Sequence, residues 1–417
     1  MTSGRRWAAR ATALAVVAAG ASLLGAAAVA VAVARNVVTP PRRRTYDIEI
    51  LGVDLASHTV LLSRTADTVV NGRYSMWFDG DRGHARVGEV LESDERSVLR
   101  RLDSVQRGDL QRASHGRWAG WWFLTPADLS VPFSDVGIET PVGVAPAWHI
   151  PPAADSDDWM IAVHGRGVTR AEGLRAVEVF REAGHHCLLI SYRNDGDAPA
   201  SHDGRYALGD EEWRDVHAAI TYVREHGAQR IVLMGWSMGG ATVLQCITRS
   251  PLAAHVNGVV LESPVVDWIS VLRFQAAETG LPPAVRDAAL AMLSSERAAR
   301  WVGLAQPIDF ERLDIVARAA ELSIPMLLLH SDDDGYVPSD GSVALAAARP
   351  DVVRIERFTV ARHTKLWNFD PDRWNRAIRV WLDEQGLRSP HGTSATTTGR
   401  TARPSRPRAI GSPSATS

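Results

Sequence analysis

"RIVLMGWSMGGATVLQCI", residues 230–247, decides how the rest of the chain reads. Its first half is a continuous apolar run, as in a strand buried on both faces. Its second half reads as a helix. Between them Ser237 stands in G-x-S-x-G, flanked by Gly235 and Gly239. A strand that turns sharply into a helix there holds the serine in a strained backbone, and side chains at the flanking positions would collide. The turn exposes the hydroxyl above the sheet edge, next to the free N–H groups and positive partial charge of a helix N-terminus.

The same alternation extends in both directions. "VGIET", "AWHIPP", "DWMIAVHGRG", "HHCLLISYRNDG", "VNGVVLESP", "IPMLLLHSDDD" and "VVRIERFTV" read as strands. "AEGLRAVEVFREAG", "DEEWRDVHAAITYVREHG", "GATVLQCITRS" and "PDRWNRAIRVWLDEQG" have helical spacing. Continuous apolar strands alternating with amphipathic helices predict an α/β domain over 131–387, a mostly parallel sheet with helices on both faces. Residues 264–320 break the rhythm with helical, charged sequence, the natural place for a small helical cap over the strand ends. Residues 45–130 read as a strand-rich region with no catalytic constellation, from the alternation in "YDIEILGVDLASHTVLLSRT" and the turn glycines of "NGRYSMWFDGDRGHARVGEVL". Trp118, Trp121 and Trp122 near its end are expected to pack in a core. Residues 388–417 carry almost no large apolar side chains, so burial cannot offset their ordering entropy and a disordered tail is expected.

Composition bounds the partners. The chain has 417 residues, 45% hydrophobic and 23% charged, enough for one large domain plus extensions or for two. Residues 1–44 hold seven Arg and no acid, and 388–417 hold five Arg and no acid, so the formal charge of −2 leaves −14 on 45–387. That acidic body argues against a nucleic-acid partner. The single lysine, Lys365, reads as coding bias. Cys187 and Cys246 lie in apolar context and read as buried free thiols, and without CxxC or zinc-like Cys/His spacing no metal is expected. Residues 11–34 carry no charge, and as a helix they would span roughly 36 Å. They read as an uncleaved membrane anchor in preference to a cleaved signal, whose apolar region is shorter. Arg5, Arg6 and Arg10 before the stretch balance Arg35, Arg42, Arg43 and Arg44 after it, so neither side of the membrane is favoured for the catalytic domain. Oligomeric state is not legible.

A serine hydroxyl needs a base to take its proton. In a fold with this elbow the partners follow in the order Ser, Asp or Glu, His. Of fourteen histidines only His363 and His391 lie beyond the last acid candidates, and His391 falls in the tail. His363, in "VARHTKLW" between a strand and the final helix, is the expected base. For the acid, Asp332, Asp333 and Asp334 follow an apolar strand in "LLLHSDDDGYVP", and Asp267 after the preceding strand is a rival. An oxyanion site needs two backbone N–H donors. Met238, next after the serine, supplies one, and Arg166 in "HGRG" at 164–167 supplies the other.

With these pieces in view, 131–387 resembles the α/β-hydrolase superfamily, most of all its BEM46-like and related serine-esterase or peptidase-like members. "HGRG", "GWSMGG", "HSDDDGYVP" and "RHTKLWN" carry the resemblance. It implies the acid pattern H-G-x-x-D-x-x-V-P, which aligns Asp334 as the acid, with Ser331 in place of the usual glycine. The implied catalytic set is Ser237, Asp334 and His363, in a serine hydrolase that cleaves a small-molecule carboxylic ester through an acyl-enzyme without cofactor. Peptidase-like or thioesterase activity, or a catalytically silent surface protein of the same fold, are the alternatives. Haloalkane dehalogenases of this fold carry Asp at the elbow, which Ser237 argues against. The resemblance does not reach 46–130 or either tail.

Overall fold

The computed structural model describes residues 25–41 and 44–389. Most of the expected anchor, 11–24, and the tail from 390 onward, His391 included, lie outside the described residues. Six N-terminal strands, β1 (Ile48–Asp54), β2 (Thr59–Ser63), β3 (Tyr74–Phe78), β4 (Gly83–Ser93), β5 (Ser97–Arg107) and β6 (His115–Ala119), close into a barrel in the order β1-β2-β5-β4-β3-β6. Every neighbouring pair is antiparallel. A barrel this small is filled by its own side chains, here Leu62, Tyr74, Met76, Phe78, Val87 and Trp118 among others. Trp118 thus packs in a core as expected. Trp122, half-buried under the Arg86 guanidinium, also packs against a core, that of the sheet domain, while Trp121 is half-buried edge-on to Trp77.

The following eight strands form one sheet: β7 (Ser134–Thr140), β8 (Gly143–Ile150), β9 (Asp158–Val163), β10 (His185–Ile190), β11 (Arg230–Trp236), β12 (Val256–Glu262), β13 (Met326–Ser331) and β14 (Val353–Phe358). Their order is β14-β13-β12-β11-β9-β10-β8-β7. β9 to β14 are parallel, and the hairpin β7–β8 adds an antiparallel edge. Burial on both faces follows the period of two. In β9, Trp159, Ile161 and Val163 join one core while Met160 and Ala162 join the other. β11 splits Ile231 and Leu233 from Val232, Met234 and Trp236 in the same way.

The helices are α1 (25–38), α2 (Leu174–Glu182), α3 (Trp213–Glu225), α4 (Met238–Arg249), α5 (Trp268–Glu278), α6 (Pro283–Ser294), α7 (Ala299–Val302), α8 (Phe310–Leu313), α9 (Asp340–Ala348), α10 (Leu366–Phe369) and α11 (Pro371–Glu384). α3, α4 and α9 cover one face of the sheet, and α2 and α11 the other. α5 to α8 form the helical insertion expected over 264–320. α9 has no counterpart in the sequence reading. "DGSVALAAA" is mostly small residues, so it shows no apolar stripe, and only Ser342 and Leu345 in it are buried.

Two boundaries move. Arg388 and Ser389 belong to the folded body, since the Ser389 N–H donates to the Ala183 carbonyl at 2.9 Å. The described part of the uncharged stretch docks on the protein itself. Ala30, Ala34 and Val38 recur every fourth residue of α1, lose all solvent contact and join the main core. Arg35 donates from Nη2 to the Trp301 carbonyl at 2.8 Å, and the Tyr206 N–H reaches the Val38 carbonyl at 2.8 Å. Among the described residues no helix is long and apolar enough to cross a membrane. Cys187 and Cys246 are free and buried, as expected, and burial pushes both thiols up, Cys246 to about 12.

Candidate active site

The elbow at Ser237 is built by close backbone approach. Ser237 separates β11 from α4 at φ 51° and ψ −117°, a conformation that costs about 1–3 kcal/mol for a non-glycine residue and must be held by its surroundings. The Ser237 N–H donates to the Glu262 carbonyl at 3.0 Å, while the Ser237 carbonyl accepts from Gly240 at 3.0 Å and Val265 at 3.2 Å. The flanking glycines are sterically required. A Cβ on Gly239 would lie 2.2 Å from the Val163 carbonyl oxygen, and one on Gly235 would lie 2.8 Å from that of Gly239.

His363 joins the serine to one carboxylate. Its Nε2 lies 3.0 Å from Ser237 Oγ and its Nδ1 2.7 Å from Asp334 Oδ2. Asp334 is buried, and its Oδ1 accepts the N–H groups of Tyr336 at 2.9 Å and Val337 at 2.8 Å. His330 Nε2 donates to the Val337 carbonyl at 2.9 Å and also faces Asp334 Oδ2 at 3.3 Å. Burial alone would raise this carboxyl, but the His363 charge and the hydrogen bonds from His330 and His363 overcome it and hold Asp334 well below the usual carboxylate range. The other acid candidates point elsewhere. Asp332 pairs with Arg357 at 2.9 Å, Asp333 accepts the Arg362 N–H at 3.0 Å, and Asp267 caps α5 through the Ile269 N–H at 2.9 Å. Ser331, where the resemblance implies glycine, ties two loops: its Oγ accepts the Ala361 N–H at 2.9 Å and donates to Asp333 at 2.6 Å.

The "HGRG" turn lies against the elbow, since a Cβ on Gly165 would sit 3.4 Å from Ser237 Cβ. The Gly165 N–H donates to Glu172 at 2.7 Å and the Gly167 N–H to Asp195 at 3.2 Å. Among the described residues the Arg166 and Met238 N–H groups donate to no backbone carbonyl outside regular elements and to no side chain. The N-terminal segment straps this turn. Arg166 Nη2 reaches the carbonyls of Asn36 at 2.7 Å and Thr39 at 3.0 Å, Arg44 donates to the Gly167 carbonyl, and Pro41 packs where a Cβ on Gly167 would be 2.5 Å away.

Several supporting groups escaped the sequence reading. Glu262, at the end of β12, is fully buried and accepts the indole N–H groups of Trp236 at 3.0 Å and Trp374 at 2.9 Å. That gives Trp236 an anchoring contact besides packing. Arg175 is buried beside Glu172 at 3.5 Å and donates to Thr364 and Asn368 on the far side of the histidine loop. The signal was present in "VNGVVLESP", where an acid directly follows the apolar run of Val259, Val260 and Leu261 at the end of a strand.

Buried ionisable groups set the response to acid. Burial lowers His84, His149, His164 and His185 to about 4, and lowers His186 as well. Burial raises Asp195 to about 6 and Glu212 to about 7, and raises Glu172 too. A histidine depressed in the fold contributes stability above its unfolded value near 6.5, lost as pH falls toward 4. A raised carboxyl works oppositely, contributing below about 4 and losing its contribution as pH rises through its folded value. The histidines outnumber the carboxyls in this set, so unfolding takes up protons net in this window. The urea midpoint is therefore expected to fall as pH is lowered from 6.5 to 4.5, and a rising midpoint would show the carboxyls to dominate.

Residues 160–377, more than half of the chain, match a family model described as "Alpha/beta hydrolase family". The chain belongs to the alpha/beta hydrolase family. Residues 49–119 of this alpha/beta hydrolase, the barrel, match a model described as a domain of unknown function. No curated protein matches the chain. Among solved structures it is similar to an esterase of Pyrococcus furiosus, 19% identical, covering 63% of this chain and 94% of that one at a TM-score of 0.49. It is also similar to an esterase of Rhodococcus sp., 19% identical, covering 61% of this chain and 100% of that one at a TM-score of 0.42. An alpha/beta hydrolase sheet explains the convergence of the site. Ser237 follows β11, Asp334 follows β13 and His363 follows β14, and in parallel strands these carboxyl ends share one edge.

Proposed function

We propose that the chain is a serine hydrolase that cleaves a carboxylic ester through an acyl-enzyme. The observation that carries this reading is His363 bridging Ser237 Oγ and Asp334 Oδ2 at 3.0 and 2.7 Å. His363 Nε2 takes the Oγ proton as Oγ bonds to the substrate carbonyl carbon. The imidazolium keeps its Nδ1–H on Asp334. The Met238 and Arg166 N–H groups face the oxyanion, helped by the N-terminal end of α4. Collapse breaks the bond to the alkoxide, which leaves with the Nε2 proton as an alcohol. Water then attacks the acyl-enzyme, giving its proton to Nε2. Collapse of the second tetrahedral intermediate returns that proton to Ser237 and releases the acid. The BEM46-like affinity rests on "HGRG", "GWSMGG", "HSDDDGYVP" and "RHTKLWN", and an ester is preferred over an amide because nothing among the described residues resembles a substrate-screening propeller. A fluorophosphonate probe is expected to label the wild type and not Ser237→Ala, and equal labelling of both would overturn the reading.

We also propose that the N-terminus tethers this hydrolase to a membrane. Residues 11–24 are uncharged and run into α1, where Val29 is 47% exposed, and Trp301 beside α1 is 66% exposed. Full-length protein is expected to remain with membranes through a carbonate wash, and complete release would remove the tether.

A further inference from the structure

The barrel touches the histidine loop at one point of opposite charge. Asp67, on the β2–β3 loop, has its Oδ1 3.2 Å from Lys365 Nζ and 3.6 Å from Arg362 Nε. Lys365 is the only lysine in the chain. These two cations stand on either side of His363, two residues after it and one before. The intervening backbone is strained, with φ at 63° in Arg362 and 49° in Thr364. Positive φ at two non-glycine residues persists only where contacts over-determine it. On the hydrolase side the loop is held by Arg362 on Asp333, Thr364 on Ser263 and Arg175 on the Thr364 carbonyl. The outer side is held by the barrel.

The loop carrying Asp67 is itself shaped by the barrel core. Arg100 is wholly buried without a carboxylate partner, and its guanidinium is spent on carbonyls: Thr68 and Val70 at 2.8 Å, Gly72 at 3.0 Å and Gly88 at 2.6 Å. Its faces lie near the Tyr74 and Trp118 rings, at 5.2 and 5.1 Å. A buried charge of this kind costs several kcal/mol unless every donor is met, so the loop is held to the shape that meets them. The loop then meets the hydrolase at Asn368. The Arg73 N–H donates to the Asn368 carbonyl at 2.9 Å, and Asn368 Nδ2 donates to Arg73 and Gly120 at 2.8 and 3.0 Å. At Gly72, φ is 124° and a Cβ would lie 2.3 Å from the Asn368 carbonyl oxygen, so only glycine fits.

We propose that the barrel is a positioning domain for the base of the hydrolase, with Asp67 clamping Arg362 and Lys365 so that His363 stays aligned on Ser237. The proposal rests on the serine-hydrolase reading. Its weight is geometric, because partly exposed ion pairs contribute little to stability, whereas misplacing a catalytic group by about 1 Å costs up to roughly 100-fold in rate. The pairs are 34%, 24% and 15% exposed at Asp67, Arg362 and Lys365, so water and salt reach them.

The test uses the full chain with Asp67→Asn, Asp67→Glu, Lys365→Met and the double variant Asp67→Asn/Lys365→Met, assayed on p-nitrophenyl esters. Asp67→Asn is expected to lower kcat roughly 10- to 100-fold with KM within about twofold. Asp67→Glu is expected to recover most of that loss, and the double variant to fall no further than the worse single one. Amide hydrogen exchange over 361–369 is expected to quicken in Asp67→Asn while the melting temperature moves by only a few degrees. Wild-type kcat and exchange in Asp67→Asn would overturn the clamp, as would a loss shared equally by kcat and stability that Asp67→Glu does not restore. If wild-type protein neither turns over esters nor reacts with a fluorophosphonate, the hydrolase reading fails, and exchange in Asp67→Asn still decides the clamp.

Discussion

Ser237→Ala is expected to lower kcat on an activated ester by about 10⁴- to 10⁶-fold, with the melting temperature within about 2 °C of wild type. The rate falls because the acyl-enzyme can no longer form and no other hydroxyl is hydrogen-bonded to His363 Nε2 among the described residues. Met238 and Arg166 keep their place, so a residual rate above uncatalysed hydrolysis is expected from these proposed oxyanion donors. Stability changes little because only one hydrogen bond is removed, and alanine inherits the same strained backbone at φ 51°. Steady-state kinetics beside thermal unfolding check both halves. A loss of less than about 100-fold with an intact fold would move the nucleophile away from Ser237.

Asp334→Asn is expected to lower kcat by about 10³- to 10⁴-fold, and the surroundings dictate how. Oδ1 of Asp334 accepts two backbone N–H groups, from Tyr336 and Val337. An asparagine there must turn its carbonyl oxygen to those donors and its NH₂ toward His363. The imidazole then accepts at Nδ1 and carries its proton on Nε2, the tautomer that cannot take the serine proton. The second hydrogen of that NH₂ meets the His330 N–H, which already donates to the Val337 carbonyl, so the variant buries an unmet amide donor and loses about 1–3 kcal/mol of stability. The wild-type carboxyl, held below the usual range, contributes above its unfolded pKa and loses that contribution only as pH falls through its lower folded one. Its charge therefore persists at pH 4.5, and any loss of activity there comes from other groups. A pH–rate profile with an Asp334→Asn rate within tenfold of wild type would assign the acid elsewhere.

How far the chain could be read in advance follows from how local each signal is. The β11–Ser237–α4 elbow was legible because most of its pattern is local: an apolar strand, a helix, and Gly235 without room for a Cβ beside Gly239, although a Cβ on Gly239 is excluded by the distant Val163 carbonyl. The parallel sheet was legible for a similar reason, since Met160, Ala162 and their alternates in β9 each face one of two cores and β9, β11, β12 and β13 are buried almost throughout. His363 was legible by chain order. Asp332, Asp333 and Asp334 were not separable by their own pattern, because which of three adjacent carboxylates turns inward depends on Arg357, Arg362 and the turn at Tyr336 and Val337. α9 was missed for want of large apolar residues, and the docking of α1 because an uncharged stretch looks the same to a bilayer as to a protein core.

The sequence by itself thus determined most of the strand and helix order of the sheet domain, the elbow, and a candidate nucleophile and base in the right succession, because periodicity acts between near neighbours. Only the tertiary structure decided that six strands close into a barrel, that His363 bonds Asp334, the acid the resemblance had implied, and that Asn36, Thr39, Pro41 and Arg44 strap the turn at Arg166. It alone paired Asp67 with Lys365, 298 residues away. Pattern tells which face of an element is buried. What it is buried against depends on how distant segments pack, and the strongest constraints on the histidine loop are of that kind.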